Sequence, residues 1–229
     1  MIRFKNVSKI YPNPGGEDVV ALDGINLTIN DGEFVFVVGR SGAGKTTLTK
    51  LLMREEEISG GILTVDSFSL ERLPKRKIPR LRRSMGVVFQ DFRLFSGRTA
   101  YENISFPLRV AGKKKSLIKQ RVRFFLELVE LTDKADRTPE ELSGGEQQRV
   151  AFARAIANNP RMVIADEPTA NVDQELSRDL MELLLRINRL GTTVIVITHN
   201  MQLVELYNKR TVTIEEGKIV SDKIGGGRE

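Results

Sequence analysis

The chain has 229 residues and a net charge of +6, and 40% of its residues are apolar, enough for a sizeable core in one or two subdomains. It contains no cysteine, which excludes disulfides and thiolate metal sites. No segment approaches the roughly 20 continuous apolar residues of a membrane span, and no apolar stretch near the start is long enough for a signal peptide. We therefore expect a soluble protein that needs a partner for any role at a membrane.

The N-terminal part of the chain is predicted to consist of strands separated by turns. Strands are expected at residues 2–7 and 19–29 from their apolar patterns. The turn residues Asn30-Asp31-Gly32 predict a hairpin that leads into residues 33–38, EFVFVV. This run is nearly all apolar, which is typical of a strand buried on both faces of a parallel sheet.

Helices and strands alternate along the rest of the chain. The predicted elements are a helix at Lys45–Met53, strands at 62–65 and 86–89, a helix at 115–131, a buried strand at 161–165, a helix at 174–190 capped by Asp173, a buried strand at 192–197 and a hairpin at 211–220. This alternation predicts an α/β fold with a mainly parallel sheet and an N-terminal antiparallel β subdomain.

The stretch from about 91 to 157 is mostly helical and interrupts the alternation, so we interpret it as an inserted helical subdomain. The sequence has no internal repeat. We therefore predict a single domain over residues 1–225, followed by a disordered tail at 226–229.

Two runs concentrate the positive charge, at Arg72–Arg83 and Lys113–Lys115. A solvated surface would explain both runs. The alternatives are contact with an anionic membrane face and contact with nucleic acid. Neither run contains interleaved aromatic residues, so a surface that stacks on bases has little support.

A phosphate-binding loop is indicated at Gly39–Thr46, GRSGAGKT. The stretch matches G-x-x-x-x-G-K-[ST] between a predicted strand and a predicted helix, which is the context that the motif requires and which a chance glycine-rich turn would lack. Glycines let backbone N–H groups curve around phosphates, and the helix N-terminus favours an anion. Lys45 can reach the β- and γ-phosphates, and the Thr46 hydroxyl can bind Mg²⁺. The residues expected to bind ATP here are Gly39, Arg40, Ser41, Gly42, Ala43, Gly44, Lys45, Thr46 and Thr47.

Two carboxylates follow the buried strand at 161–165, in the sequence Met162–Glu167, MVIADE. Ligands of such sheets bind outside the carboxyl ends of the strands. We expect Asp166 to hold Mg²⁺ and Glu167 to orient or deprotonate the attacking water. The alternative is an ordinary acidic turn at the surface.

The stretch Leu142–Arg149, LSGGEQQR, predicts a second helix start suited to phosphate. Ser143 and Glu146, three residues apart, form the pattern of a capping box, with a helix starting at about Gly144 and running toward Ala157. An isolated S-G-G-E pattern would indicate no more than a capped helix. Here it occurs in one chain with a phosphate loop.

Together these motifs resemble the ATP-binding-cassette family over essentially the whole chain, which implies a P-loop NTPase (RecA-like) core and ATP hydrolysis. LSGGEQQR resembles the family's signature motif, which binds ATP held by a second subunit. The signature residues implied to bind ATP are Ser143, Gly144, Gly145 and Glu146.

The resemblance also implies roles for residues outside these motifs. Tyr11 resembles the aromatic residue that stacks on adenine, and Gln90 resembles the glutamine that senses Mg²⁺ and water. Asp173 lies where the family has its dimer-crossing loop, and His199 is similar to the switch histidine at the γ-phosphate. The implied catalytic residues are Glu167, His199, Gln90 and Lys45, and those implied to bind Mg²⁺ are Thr46, Gln90 and Asp166.

A finer resemblance is to a branch of the family that acts in cell division. It rests on Leu51–Gly61 (LLMREEEISGG) and Ile78–Phe95 (IPRLRRSMGVVFQDFRLF), with mild departures at Ala170–Val172 and Phe95-Ser96. It implies ATP-driven homodimerisation at the cytoplasmic face of the cell membrane. Force would pass to an integral membrane partner that controls peptidoglycan hydrolysis, and no direct contact with nucleic acid is expected.

Two alternatives remain open at the level of the sequence. A transport ATPase that drives lipoprotein release, drug export or solute import would share every catalytic residue. A cassette protein acting on ribosomes or DNA is the other alternative. Such proteins usually carry a second cassette or a long coiled-coil insert, and this sequence has neither.

Overall fold

The computed structural model describes residues 1–170 and 174–225. They form two compact units, one made of Met1–Arg82 with the segment that begins at Thr193, the other of Arg83–Thr192. The single domain over 1–225 and the helical subdomain at about 91–157 remain predictions. Asp173, its predicted capping role and the predicted tail at 226–229 lie outside the described residues.

The strands are β1 (Ile2–Tyr11), β2 (Val19–Ile29), β3 (Phe34–Val38), β4 (Gly60–Val65), β5 (Phe68–Ser69), β6 (Met85–Val88), β7 (Met162–Asp166), β8 (Thr193–Thr198), β9 (Arg210–Glu215) and β10 (Lys218–Lys223). The described helices are α1 (Lys45–Leu52), α2 (Ile78–Arg83), α3 (Ala100–Val110), α4 (Lys115–Leu128), α5 (Gly144–Ile156), α6 (Gln174–Arg189) and α7 (Met201–Tyr207). The predicted bounds differ from these by a few residues at most. However, β5, α2 and α7 were not predicted, and α3 was predicted only as part of the mostly helical stretch.

The first unit contains an antiparallel sheet in the order β2-β1-β4-β5. It also contains β3 between β8 and β9, parallel to both, with β10 antiparallel to β9. All five residues of β3 are buried, as are all six of β8, so these strands are covered on both faces. A parallel strand pair buried in this way confirms the interpretation of the run EFVFVV.

The predicted hairpin at Asn30-Asp31-Gly32 is wrong. The turn itself forms, with the Glu33 amide donating to the Asn30 carbonyl (3.3 Å). However, β2 pairs with β1, whereas β3 pairs with β8 and β9. The turn therefore carries the chain from one sheet to another, because the partners that bury β3 come from distant parts of the sequence.

The second unit contains the parallel pair β6–β7 and the packed helices α3, α4 and α5. The apolar face predicted for α4 is buried, with Ile118, Val122, Phe125 and Leu126 all inside. Between β6 and α3 the chain makes turns and irregular backbone, and the first helix of the stretch at about 91–157 begins at Ala100. Within the part of the chain that the structure describes, no helix has both the length and the apolarity to cross a bilayer.

Candidate functional site

The phosphate-loop motif connects β3 to α1 in the first unit. Lys45 is the first residue of α1 and only 9% exposed. Its Nζ donates to the carbonyl oxygens of Gly39 (2.6 Å) and Arg40 (3.0 Å), so the ammonium lies over the loop and not out in solvent. Backbone carbonyls carry only partial charge, so this buried cation remains well suited to an anionic ligand.

Two glycines of the loop are required by close backbone contacts. A Cβ at Gly39 would lie 2.2 Å from the Ile214 carbonyl oxygen. At Gly44, where φ is +106°, it would lie 2.4 Å from the Ala21 carbonyl oxygen. A side chain at either position would push the loop away from the sheet.

The N-terminus of α1 is open to an anion. Its N-cap is Gly44, which offers no side-chain hydrogen bond, whereas α3, α5 and α7 are capped by Thr99, Ser143 and Asn200. The first N–H groups of α1 therefore have no side-chain acceptor, and a phosphate fits there. Thr46 is exposed at the same helix start, so its hydroxyl is available to a Mg²⁺ ion.

The described residues contain no group of three His, Asp or Glu side chains that could hold a metal by themselves. Mg²⁺ commonly binds through one or two protein ligands together with substrate phosphates. The residues present therefore fit a Mg²⁺ ion that arrives with a nucleotide.

His199 lies beside the start of the phosphate loop in the sheet of the first unit. Val38 and Thr198 are register partners at the ends of the parallel strands β3 and β8. Gly39 and His199, the next residues, therefore lie at the same edge of the sheet. The Asn200 amide donates to the Thr198 Oγ1 (3.1 Å), and Asn200 caps α7, which fixes the short turn that carries His199. Its side chain is exposed at this edge.

The second unit brings Gln90 and the two carboxylates to one edge of its strand pair. Val88 of β6 and Ala165 of β7 are register partners, so the chain after each strand emerges at the same side. Gln90 is exposed there, and Asp166 and Glu167 are half-buried. Glu167 has φ +48°, an uncommon backbone conformation for a residue that is not glycine and one that is concentrated at functional sites.

The predicted capping box at the start of α5 forms in the second unit. The Ser143 amide donates to Glu146 Oε2 (2.9 Å), and the Glu146 amide donates to the Ser143 Oγ (3.3 Å). Lys134 also forms an ion pair with Glu146. The bond from Lys134 and the one from the Ser143 amide hold the pKa of Glu146 below its ordinary range.

Tyr11 ends β1 in the first unit, half-exposed, with the Lys9 ammonium 4.7 Å from its ring centroid. The predicted residues thus fall into two sets, each assembled within one unit. The first unit holds Tyr11, the phosphate loop and His199, and the second holds Gln90, both carboxylates and the start of α5.

Known proteins resemble this chain in sequence and in fold. The ABC transporter family model matches residues 22–170. The cell division ATP-binding protein FtsE of Bacillus subtilis is 49% identical over 226 residues, 99% of this chain and 97% of that protein. The chain belongs to the ABC transporter family. A cassette whose dimeric structure represents a post-hydrolysis state bound to ADP and Pi is 34% identical, with a TM-score of 0.92 over 99% of this chain and 100% of the other.

A more distant relative is the methionine import ATP-binding protein MetN of Corynebacterium glutamicum, 40% identical over 96% of this chain and 61% of that protein. Family membership confirms the α/β P-loop NTPase fold and the expectation that the chain is an ATPase. The family match at residues 22–170 includes the whole phosphate-loop motif.

The sequence analysis missed Gln148, which joins α5 to the segment that follows β7. Its side chain is 2% exposed, and its Nε2 donates to the Pro168 carbonyl, one residue beyond Glu167. Its Oε1 is buried without a hydrogen-bond partner among the described residues. A polar residue on the apolar side of a predicted helix is the only sequence signal for this role.

Arg154 was also missed. It lies on α5 and donates to the carbonyl oxygens of Phe92 (2.7 Å) and Arg93 (2.6 Å), whose φ values are +57° and +45°. Burial lowers the pKa of Arg154 to about 10. This side chain thus fixes the left-handed turn that follows Gln90, and its sequence signal is a charge within the apolar stretch VAFARAI.

Proposed function

We propose that this ATP-hydrolysing cassette is an FtsE-type subunit that acts in cell division with an integral membrane partner. The observation that carries the proposal is the 49% identity to FtsE over 99% of this chain and 97% of that protein. Identity to the methionine importer subunit is lower, at 40%. The intact loop geometry at Lys45 supports the nucleotide chemistry.

In the proposed mechanism the backbone N–H groups from Gly39 to Thr47 bind the phosphates of ATP. Lys45 leaves the loop carbonyls and donates to the β- and γ-phosphates, and Tyr11 stacks on adenine. Mg²⁺, when bound, neutralises phosphate charge, with Thr46, Gln90 and Asp166 as its protein-side ligands or water-mediated contacts.

In hydrolysis the water oxygen forms a bond to the γ-phosphorus, and the bond from the γ-phosphorus to the oxygen that bridges it to the β-phosphorus breaks, which releases phosphate and ADP. We assign Glu167 to orient and deprotonate that water, and Gln90 and His199 to orient it and the γ-phosphate. The fixed backbone at Glu167, held through Pro168 by Gln148, supports a carboxylate that keeps one position through the reaction.

A second copy of the chain completes each site in this proposal. Residues Ser143 to Glu146 at the start of α5 bind the γ-phosphate of ATP held by the partner copy, and Asp173 lies on the loop that crosses the dimer. Support comes from the dimeric state of the cassette bound to ADP and Pi, 34% identical to this chain.

The membrane partner is proposed to be FtsX-like and to dock on the segment Gln90–Phe95, with the subunit peripheral at the cytoplasmic face of the cell membrane. Phe95 and Phe106 are 39% and 40% exposed, and their rings lie 4.7 Å apart. A paired, exposed aromatic surface is the type of anchor that protein interfaces use. Dimer closure would pull on this partner, which signals to peptidoglycan hydrolases outside.

The test is capture of the tagged full-length chain from solubilised membranes, with identification of the proteins that co-purify. A four-span FtsX-like protein is the expected partner. Phe95→Ser should lose it, whereas Phe124→Ser, which changes a 57%-exposed phenylalanine on α4, should retain it. Recovery of a solute permease would contradict the cell-division proposal and favour an importer. Recovery of ribosomes would contradict both.

A further inference from the structure

A strongly basic surface in the first unit has no role in the chemistry above. We call Arg72–Arg82 the basic segment. It carries six Lys or Arg among eleven residues and no Asp or Glu. Its charge of +6 equals the net charge of the whole chain, so the positive and negative charges of the remaining residues cancel. The positive character of this protein therefore comes from one short segment.

The basic segment is attached firmly to its unit. Leu73 and Leu81 are buried, at 7% and 0% exposure. The Arg82 side chain donates to the Met53 carbonyl (3.0 Å) and to the Arg54 carbonyl (3.3 Å), just after α1. One edge of the segment thus packs on the core, and Arg82 is part of that attachment.

Four of the other five cations of the segment are exposed and have no ion-pair partner among the described residues. They are Lys75, Arg76, Lys77 and Arg80, and none of their side chains has a hydrogen-bond or ion-pair partner within residues 1–170 and 174–225. Other surface cations lie beside carboxylates, as in the ion pairs Arg98–Glu102 and Arg137–Glu141. Crowded, unpaired like charges repel one another, and an external anionic surface relieves that repulsion.

Backbone geometry places these charges close together. A 3₁₀ turn at Lys75–Lys77 continues directly into α2, since Ile78 has helical φ and ψ of −54° and −44°. Arg76 and Arg80 are four residues apart and Lys77 and Arg80 three apart, which puts them on neighbouring positions of one helical surface. The four cations therefore form a cluster on helical backbone.

We propose that this cluster binds the anionic phospholipid headgroups of a bilayer directly, in addition to any contact through a protein partner. The charge of the segment and the absence of carboxylates within it fit a lipid phosphate surface. The segment contains no aromatic residue to stack on bases, which disfavours nucleic acid. The choice of a membrane as the anionic surface rests on the proposed function.

The test uses the purified chain without any membrane protein. Vesicles of phosphatidylcholine with a minority of phosphatidylglycerol are sedimented with the protein at about 0.15 M salt, and vesicles of phosphatidylcholine alone serve as the reference. The variant replaces Lys75, Arg76, Lys77 and Arg80 by Gln and keeps Leu73, Leu81 and Arg82. The matched control replaces Lys113, Lys114, Lys115 and Lys119, four exposed lysines at the start of α4, by Gln.

Wild type and the α4 control should bind the anionic vesicles and not the neutral ones. The variant should bind about 1,000-fold more weakly, in line with the summed contribution of four basic residues near an anionic surface. Equal loss in both variants, or no binding by wild type, would overturn the proposal. So would binding of a single-stranded oligonucleotide through the same residues in preference to vesicles.

ATPase activity, measured in parallel, should be unchanged in both variants because none of the replaced residues belongs to the nucleotide site. If wild type lacks ATPase activity, the proposed function is at fault. If ATPase activity is intact but lipid binding is absent, only the lipid proposal fails.

Discussion

At the residue scale, Lys45 is a buried cation whose nearest partners are uncharged. Two carbonyl oxygens of its own loop accept its hydrogen bonds, and its side chain is 9% exposed. The ammonium group of Lys45 is therefore already desolvated before ATP binds, and no carboxylate among the described residues supplies a counter-charge. Binding of ATP supplies that counter-charge, so much of the ligand's affinity should depend on this side chain.

Lys45→Met should weaken ATP binding by about 10- to 100-fold, the loss expected for one hydrogen bond to a charged group. Titration calorimetry with ATP measures the effect. Lys50→Gln, in the last turn of α1, is the control and should bind normally. If Lys45→Met bound ATP with unchanged affinity, the assignment of the phosphate loop to the binding site would be contradicted.

Gln148 gives a second prediction at this scale. Gln148→Glu replaces the donor to the Pro168 carbonyl with a buried carboxylate, and should lower the free energy of unfolding by about 2–3 kcal/mol. Turnover should fall as well, because the backbone beside Glu167 loses its support. Urea denaturation and ATPase assays measure the two effects. Gln147→Glu, half-buried on the same helix, is the control, and equal effects in both variants would refute a specific role for Gln148.

At the element scale, α3 and α5 both begin with a capping box, but they are expected to differ in function. Thr99 with Glu102 and Ser143 with Glu146 both form complete capping boxes. Thr99→Ala and Ser143→Ala should each lower stability by about 1 kcal/mol. Only Ser143→Ala should also lower ATP turnover beyond that loss. Equal turnover in the two variants would mean that α5 is a capped helix and nothing more.

Strands β9 and β10 are joined by a charge cluster that predicts a pH dependence. The Arg210 guanidinium donates to both oxygens of Asp222 (2.9 and 2.7 Å) and also to Glu33 (2.9 Å). The bond from Arg210 lowers the pKa of Asp222 below its ordinary value. The stability from this pair is therefore fully present above about pH 4 and is lost as the pH falls through the lowered pKa.

Asp222→Asn should accordingly be less stable than wild type at neutral pH, and its stability should fall less steeply below about pH 4. Thermal unfolding over a series of pH values measures both slopes. Asp179→Asn, which changes an exposed carboxylate on α6, controls for the loss of any surface charge. Parallel curves for Asp222→Asn and wild type would contradict the assignment.

Local patterns predicted local structure, and they failed where the partner was distant. The capping box at Ser143 depends on residues within one turn of a helix, and the phosphate-loop motif is one continuous stretch of eight residues, so the local sequence was sufficient to locate both. The turn at Asn30–Gly32 was also found, but its hairpin was wrong because the partners of β3 lie more than 150 residues further along the chain. Gln148 and Arg154 were missed for the same reason, since their acceptors lie outside their own helix.

At the scale of the whole molecule, each of the two units carries part of the proposed machinery for ATP. The phosphate loop and the signature sequence lie about a hundred residues apart in the chain. In the proposed mechanism they never contact the same nucleotide within one copy, so a single chain binds ATP but does not complete a site. Turnover and the movement of a membrane partner then both depend on dimerisation.

This dependence makes the oligomeric state of Glu167→Gln the most direct test. The substitution keeps the phosphate loop but removes the base, so ATP should bind and remain. Sedimentation velocity with ATP and Mg²⁺ should show a dimer for Glu167→Gln, a monomer without nucleotide, and a monomer again when Ser143→Arg is added. A Glu167→Gln protein that binds ATP and yet stays monomeric would contradict the shared-site mechanism.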